Sequence, residues 1–294
     1  MIEPGRVTVI GAGTMGHGIA YAVALAGMDV VLVDSSEAAI ERALVRIRAD
    51  LDEGVRRGKL SDAEHAAALR RLRGRTDVQT SARDSDLVIE AVPEQIELKV
   101  HVLRTAAEVA PEHAILASNT SSLSITTLQR SLPRPSRVVG LHFFNPVHAM
   151  KLVEVVRGAD TADEVVDDAV AFSRRLGKEP IVVRDSPGFA SSRLGLALGL
   201  EAMRMLEEGV ASAEDIDRAM ELGYRHSMGP LRLTDLVGLD VRLSIAQVLH
   251  AQLGGERFRP PAILERLVAE GKLGRKSGEG FYRWGDDEAE KARQ

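Results

Sequence analysis

Residues 6–16 read Arg-Val-Thr-Val-Ile-Gly-Ala-Gly-Thr-Met-Gly, an apolar run followed at once by glycines at positions 11, 13 and 16. The run predicts a buried strand, and the residues after it predict a helix that ends near Ala26. Gly11 would permit a tight turn, Gly13 would let a pyrophosphate approach the backbone, and Gly16 would let the helix pack on the strand. The positive amino end of that helix would then face the phosphates. We therefore expect a dinucleotide to contact Gly11, Gly13, Thr14, Met15 and Gly16.

The second predicted strand ends at Asp34, about 20 residues beyond the first glycine. At this spacing a carboxylate typically accepts hydrogen bonds from the adenosine ribose. A carboxylate would also repel a 2′-phosphate, so Asp34 favours NAD over NADP. The alternative is a glycine-rich turn that binds no ligand.

Short β-branched runs alternate with longer helical patterns from Arg6 to about Arg184, which predicts a parallel, doubly wound sheet. The predicted strands are Val7–Ile10, Val30–Val33, Leu87–Glu90, Ile115–Ser118, Val138–His142, Leu152–Val156 and Ile181–Val183. Residues 143–151 are too few for a crossover helix, so they predict a hairpin-like excursion. The segment Ser61-Asp-Ala-Glu64 is a capping box and predicts a helix over Ser61–Leu72.

After Asp185-Ser-Pro-Gly188 the strand signals end and only helical patterns follow. The predicted helices cover residues 189–208, 213–222, 231–253 and 261–270. The fold class is therefore an α/β doubly wound sheet followed by an all-α domain. We expect an NAD-binding domain over residues 1–184 and a helical domain over residues 185–294, where residues 286–294 form a frayed charged tail.

Composition excludes several classes of function. The 38 basic and 43 acidic residues give a formal charge of -5, so no overall positive field attracts nucleic acid. The absence of cysteine excludes disulfides, thiolate catalysis and cysteine zinc sites, and we expect no metal. No apolar segment reaches the roughly 18 residues of a membrane span, and residues 1–5 do not resemble a signal peptide. We expect a cytoplasmic protein that does not bind membranes.

His142 is the strongest candidate for acid–base chemistry. It ends an apolar strand, at the edge of the sheet where ligands of open α/β sheets bind, and it precedes Phe143-Phe-Asn-Pro146. A neutral imidazole suits removal of a proton from an alcohol. Glu154 interrupts the next apolar strand and could orient that imidazole by accepting from one ring nitrogen. The alternative is that both residues alternate out of a hairpin into solvent.

Several motifs together resemble a known family. They are Gly11–Gly16, Ser118-Asn-Thr-Ser-Ser122, Gly140-Leu-His-Phe-Phe-Asn-Pro146, Met150-Lys-Leu-Val-Glu-Val155, Asp185-Ser-Pro-Gly-Phe189, Met228-Gly-Pro230, Asp235-Leu-Val-Gly-Leu-Asp240 and Gly274-Arg-Lys-Ser-Gly-Glu-Gly-Phe-Tyr282. The chain resembles, nearly end to end, the short, single-function L-3-hydroxyacyl-CoA dehydrogenases, which include bacterial 3-hydroxybutyryl-CoA dehydrogenases.

The resemblance implies a Rossmann-type domain, a helical domain that carries a homodimer contact, and an acyl-CoA substrate in the cleft between the domains. It implies His142 as catalytic base, Glu154 as its partner, and Ser121 as a hydrogen-bonding residue near substrate and cofactor. It further implies that the NAD site is lined by Glu94, Lys99, Asn145 and Lys276.

The chain departs from the family pattern at one site residue. The family usually has Pro-Gly-Phe-x-x-Asn-Arg, whereas this chain has Pro187-Gly-Phe-Ala-Ser-Ser192-Arg193. A hydroxyl has one donor where an amide has two, and its reach is shorter. Ser192 could contact the substrate directly or through a water, or could simply pack at the start of the helix.

The phosphates of CoA require basic partners, and the family's CoA-contacting region suggests Arg57 and Lys59. Acidic residues are interspersed in this segment. The alternative is therefore a mixed-charge, solvated pair of helices.

Three other functions compete with the expected one. A relative could act on a non-CoA 3-hydroxy compound, such as a sugar acid or carnitine. The β-hydroxyacid dehydrogenases use a lysine of the helical domain, but no lysine occurs between Lys178 and Lys272. A catalytically idle NAD-binding protein, like the lens crystallins of this family, is favoured only by Ser192 and is opposed by His142, Glu154 and Ser121.

Overall fold

The computed structural model describes residues 5–285 of the chain. The chain divides into two compact units, Met1–Phe189 and Ala190–Gln294. The first unit extends past the expected boundary at Asp185 because the side chain of Phe189 packs within one of its hydrophobic cores.

An eight-stranded sheet forms the centre of the first unit, in the order β3-β2-β1-β4-β5-β6-β7-β8. The strands are β1 (Arg6–Ile10), β2 (Asp29–Val33), β3 (Leu72–Arg75), β4 (Leu87–Glu90), β5 (Ile115–Ser118), β6 (Val138–Phe143), β7 (Leu152–Arg157) and β8 (Glu179–Arg184). All neighbours pair in parallel except β6 and β7, which are antiparallel. The predicted doubly wound sheet and its hairpin-like excursion are confirmed.

Helices cover both faces of this sheet. They are α1 (Thr14–Leu25), α2 (Glu37–Arg56), α3 (Asp62–Arg71), α4 (Val78–Ala82), α5 (Ile96–Ala107), α6 (Ile125–Arg130) and α7 (Asp163–Arg175). Alternate residues of one strand enter different cores: Ile89 packs in the cluster that contains α1 and α7, whereas Val88 packs in the cluster that contains α5 and α6. This alternation follows from the two-residue period of a strand, and burial on both faces explains the continuous apolar runs.

Strand β3 was not predicted, and the expected helix Ser61–Leu72 is one residue too long at each end. The capping box is present, with Ser61 and Glu64 each bonded to the other's backbone, and the helix ends at Arg71. Leu72 then begins β3, whose sequence Leu-Arg-Gly-Arg contains no β-branched residue. Pairing with β2 defines this edge strand, so local preference carried no signal for it.

The second unit is helical, as predicted. Its helices are α8 (Ser191–Glu207), α9 (Ala213–Tyr224), α10 (Pro230–Val237), α11 (Leu239–Leu253) and α12 (Ala262–Ala269). The single helix expected over residues 231–253 is wrong, because the chain breaks at Gly238, where φ is +105°. A right-handed helix cannot contain that backbone conformation, and glycine adopts it without a Cβ clash.

Two further predictions concern membrane spans and the last residues of the sequence. Within residues 5–285, no helix is long and apolar enough to cross a membrane. The frayed tail expected over residues 286–294 lies outside the described residues.

Candidate active site

The glycine turn joins β1 to α1. Gly11 has φ +106°, and a Cβ there would lie 2.6 Å from the Ala91 carbonyl oxygen. A Cβ on Gly16 would collide with the carbonyl of Gly11. At Gly13, by contrast, a Cβ would meet no described atom within 4 Å. The turn therefore requires glycine at two positions for packing, while the third leaves open space beside the backbone.

The amino end of α1 has the properties of an anion site. No side chain of the described residues caps it, and its first turn has no acidic residue. Thr14 and Met15 are the first two residues of the helix, where backbone N–H groups have no acceptor within the helix. These donors and the open space at Gly13 fit a pyrophosphate.

Asp34 lies beside this turn, directly after β2. Its Oδ2 accepts from the backbone N–H of Ala12 at 2.9 Å, and its Oδ1 accepts from that of Ser36 at 3.0 Å. A groove of about 640 Å³ is lined by Gly13 and Asp34 and also by Arg42 and Arg46. Each carboxylate oxygen retains a lone pair for a ribose hydroxyl. Sequence reasoning missed that Arg42 and Arg46 share this groove with Asp34.

His142 and Glu154 face each other across the antiparallel pair of β6 and β7. His142 Nδ1 lies 2.7 Å from Glu154 Oε2. The histidine is 7% exposed and the glutamate 0%. The alternative that both side chains point into solvent is therefore wrong. Because Glu154 accepts at Nδ1, Nε2 is the ring nitrogen at which a proton can be exchanged with a ligand.

Two aromatic rings flank His142, and sequence reasoning missed both. The ring of Phe144 lies 4.4 Å from the imidazole centroid, and that of Phe189 lies 5.9 Å from it. Phe189 has φ +47°, an uncommon backbone conformation for a bulky residue. The motif Asp185–Phe189 singles out this stretch in the sequence. Only the folded structure shows that the ring of Phe189 lies against His142.

Ser121 lies in the loop after β5, beside the strand of His142. Its backbone N–H donates to Glu94 Oε1 at 3.0 Å, and Ser122 donates to the same oxygen through its N–H at 3.1 Å. Asn119 accepts from the backbone N–H of Phe143 at 2.9 Å. The structure therefore fixes the loop of Ser121 to the residue that follows His142.

Glu94 and Lys99 are in contact, but they differ in exposure. Lys99 is 1% exposed, and its Nζ lies 3.2 Å from Glu94 Oε2 and 2.9 Å from Glu90 Oε2. Burial raises the pKa of Glu94, but Lys99 and hydrogen bonds from Thr120 and Ser122 outweigh it and lower that pKa overall. Glu94 is thus held as a carboxylate, and the ammonium of Lys99 is engaged inside the protein.

Asn145 is exposed in the loop between β6 and β7, and its peptide bond to Pro146 is cis. This loop is held from two sides. Lys178 donates from Nζ to the carbonyls of Val147 and Met150, the latter at 2.9 Å, and burial lowers the pKa of its ammonium. On the other side Val147 packs on α1, where a Cβ at Gly18 would lie 2.9 Å from the Val147 Cβ.

Lys276 and Ser192 belong to the second unit. Lys276 Nζ donates to Asp240 Oδ2 at 2.5 Å. Its segment is anchored by the buried Asp235, which accepts from the backbone N–H of Phe281 and the indole N–H of Trp284, both at 2.9 Å. Ser192 is the second residue of α8 and is half-buried.

Arg57 and Lys59 follow α2 and are both exposed. Arg57 forms an ion pair with Glu53 one turn earlier, and Glu53 also pairs with Arg56. The alternative predicted from the sequence, a mixed-charge helical surface, is therefore present at Arg57.

Within residues 5–285, no group of three or more histidine, cysteine or carboxylate side chains could hold a metal ion.

Comparison with known proteins identifies both halves of the chain. The family model described as "3-hydroxyacyl-CoA dehydrogenase, NAD binding domain" matches residues 6–186. The model described as "3-hydroxyacyl-CoA dehydrogenase, C-terminal domain" matches residues 188–284.

Individual relatives match over nearly the whole chain. A probable 3-hydroxybutyryl-CoA dehydrogenase of Bacillus subtilis is 43% identical over 96% of this chain and 98% of its own length. A 3-hydroxyadipyl-CoA dehydrogenase of Escherichia coli is 45% identical over 97% of this chain and 60% of its own length. The crystal structure of (S)-3-hydroxybutyryl-CoA dehydrogenase from Ralstonia eutropha superposes with a TM-score of 0.93, at 42% identity, over 97% of this chain and 100% of that one.

Proposed function

The chain belongs to the 3-hydroxyacyl-CoA dehydrogenase family, and from this premise we propose that it interconverts L-3-hydroxybutyryl-CoA and acetoacetyl-CoA. Its cofactor is NAD. The class of reaction, oxidation of a 3-hydroxyacyl-CoA with NAD, follows from the family. The short acyl chain is a proposal that rests on the names of the relatives from Bacillus subtilis and Ralstonia eutropha.

The observation that supports the chemical step best is the 2.7 Å contact between His142 Nδ1 and Glu154 Oε2. We assign His142 as general base in oxidation and general acid in reduction, acting at Nε2. Glu154 accepts the Nδ1 proton, which selects the tautomer and stabilises the imidazolium that forms. Bound NAD supplies the hydride acceptor for the substrate carbon. The chain itself therefore has to move one proton and orient the substrate.

Ser121 is the proposed donor to the substrate oxygen. It is exposed, and its backbone is tied to Glu94 at 3.0 Å while its loop is tied to the strand of His142 through Asn119. A donor that is fixed before the substrate binds stabilises developing charge without reorganisation. Ser192 is a second proposed contact, direct or through a bridging water.

Arg57 and Lys59 are the proposed partners of the CoA phosphates. Both are exposed on the segment that follows α2. The ion pair of Arg57 with Glu53 is a surface pair of low strength, so a phosphate can displace the carboxylate. We also propose a cytoplasmic homodimer, whose contact lies on the second unit.

The test is the initial rate of NADH loss with acetoacetyl-CoA, measured beside free acetoacetate, 3-oxoadipyl-CoA and, separately, NADPH. We expect rapid loss only with a CoA ester and NADH, and a higher kcat/KM for acetoacetyl-CoA than for the dicarboxylic ester. A preference for 3-oxoadipyl-CoA would overturn the short-chain assignment. Loss with free acetoacetate, or no loss with any CoA ester, would favour a non-CoA substrate and would make Ser192 the first residue to examine.

A further inference from the structure

A fully buried carboxyl group, that of Glu90, lies next to the loop of Ser121. Glu90 ends β4 and is 0% exposed, and its only charged contact among the described residues is Lys99, which is 1% exposed. The ammonium lies 2.9 Å from both carboxylate oxygens. A buried ion pair of this kind contributes little net stability, because desolvation offsets the attraction between the charges. Its presence beside the site therefore suggests a role in positioning.

Glu90 joins three segments of the chain. Oε2 accepts from the backbone N–H of Val92 at 3.2 Å, just after β4. Oε1 accepts from the hydroxyl of Ser118, the last residue of β5, and that hydroxyl in turn accepts from the N–H of Thr120 at 3.2 Å. Lys99 supplies the third segment, α5. The start of the Ser121 loop is thus set by one buried carboxylate.

Ion pairs connect Glu90 to the same loop by a second route. Lys99 bridges Glu90 and Glu94, so that a cation lies between two carboxyl groups. Burial raises the pKa of Glu90, and Lys99 and the hydroxyl of Ser118 oppose that rise, so the charge of Glu90 depends on these contacts. Glu94 Oε1 then accepts hydrogen bonds from the hydroxyl of Thr120 at 2.5 Å and from the N–H groups of Ser121 and Ser122. If Glu90 were neutral, Lys99 would be balanced by Glu94 alone and would draw that carboxylate away from the loop.

The loop is also tied to the strand of the catalytic histidine. The backbone N–H of Asn119 donates to the Glu90 carbonyl at 2.9 Å, and the Asn119 side chain accepts from Phe143, the neighbour of His142. The position of Ser121 relative to His142 therefore depends on the end of β4.

We propose that Glu90 is a positioning residue that acts through Lys99, Glu94 and Ser118 to hold Ser121 where the substrate oxygen binds. The proposal rests on the proposed function of His142 and Ser121. Glu90 does not touch the substrate. Replacing Glu90 should lower kcat only through its effect on Ser121. Replacing a residue that merely stabilises the fold would show no such dependence on Ser121.

A double-mutant cycle tests the proposal with acetoacetyl-CoA and NADH. Glu90→Gln should lower kcat by about 10- to 100-fold, because a small displacement of a catalytic group has effects of this size. In a Ser121→Ala background the same change should lower kcat by less than about twofold, because the two residues act as one unit. Ser85→Ala is the matched control: Ser85 is 2% exposed, bonded to Thr8, and lies just before β4 at its opposite end. It should lower Tm and leave kcat unchanged.

Ser118→Ala is a second variant that leaves no buried charge unpaired, and it serves if Glu90→Gln does not fold. It should lower kcat by about three- to tenfold, again only when Ser121 is present. An inactive wild type would refute the proposed function and not this inference. An active wild type with unchanged kcat in both variants, or with equal losses in both backgrounds, would overturn the role of Glu90.

Discussion

His142 is held on three sides by other residues of the first unit. Glu154 fixes Nδ1 from the adjacent strand, while Phe144 and Phe189 cover the ring. Because both side chains are buried, the contact between His142 and Glu154 is stronger than a similar contact at the surface. One proton position remains for chemistry, at Nε2.

His142→Ala should lower kcat by roughly 10² to 10⁴, because it removes the proposed general acid–base group. The Kd for NADH should change little, because the glycine turn and Asp34 are untouched. Stopped-flow turnover and NADH fluorescence titration measure the two quantities. His113→Ala, at an exposed histidine, is the control and should retain wild-type kcat. Unchanged turnover in His142→Ala would remove the residue from its role.

Asp34→Ala should weaken NADH binding and narrow the preference over NADPH. The wild-type carboxylate can accept from ribose hydroxyls and repels a 2′-phosphate. In the variant Arg42 and Arg46 remain in the same groove, where they would attract that phosphate. The ratio of kcat/KM for NADH and NADPH measures the effect. An unchanged ratio would show that the ribose does not bind here.

Among the elements, one residue sets a break between two helices and another tethers two strands. Gly238 separates α10 from α11 with φ +105°, and a Cβ there would lie 3.1 Å from Asp240 Oδ1 and 3.4 Å from Lys276 Nζ. The break therefore places the pair of Asp240 and Lys276 as well as two helices. Asp86 tethers the start of β1 to the residue before β4, accepting from the N–H groups of Gly5 and Arg6.

Gly238→Ala should destabilise the protein by about 1–3 kcal/mol, because alanine is strained at positive φ. It should also disturb Lys276 and raise the KM for NADH if that lysine lines the cofactor site. Gly223→Ala, near the end of α9, is the matched control. A Cβ there meets no described atom within 4 Å, so alanine should stabilise the helix by up to about 1 kcal/mol. Equal Tm values for the two variants would contradict the strain argument.

The tether at Asp86 predicts a pH dependence of stability. Burial raises the pKa of this carboxyl, but hydrogen bonds from Arg6, His113 and Gly5 outweigh it and lower the pKa below its ordinary value of 3.8. A carboxylate with a lowered folded pKa stabilises the fold above its unfolded pKa, and the contribution is lost as pH falls through the folded value. The Tm of wild type minus that of Asp86→Asn should thus be positive and constant near pH 5 to 6 and shrink below about pH 4. A difference that is constant down to pH 2.5 would rule this out.

At the scale of the whole molecule, the second unit exposes large apolar side chains that the first unit largely buries. Those of the second unit are Leu194, Val210, Leu222, Tyr224, Leu233, Val237, Val241 and Val248. On α11, Val241 and Val248 are seven residues apart and about 40% exposed, so they lie on one face of the helix. An apolar stripe of this kind is typical of a protein contact, and it supports the proposed homodimer.

Light scattering after size exclusion should give the mass of two chains for the wild type. The double variant Val241→Glu and Val248→Glu should run as one chain, because four carboxylates would be buried in the contact. Val45→Glu introduces a charge at an exposed apolar residue of the first unit and should remain dimeric. A monomeric wild type, or a dimer that survives the double variant, would refute this contact.

The sequence by itself determined the features that arise from local geometry. The glycine turn, the strand and helix periods and the capping box at Ser61 all follow from short-range sterics and the alternation of a strand. These were enough to predict the doubly wound sheet, the helical second unit and NAD as cofactor.

Only the tertiary structure decided what depends on contacts between distant segments. Strand β3 exists because β2 pairs with it, and Gly238 breaks a helix whose apolar period continues through it. Glu90, Asn119 and Phe189 join the candidate site only through contacts of the folded chain, which are those of Glu90 with Ser118, of Asn119 with Phe143 and of Phe189 with His142. A pattern along the chain reports which face a residue occupies, whereas its partner across the sheet is fixed by packing, and packing is not periodic in sequence.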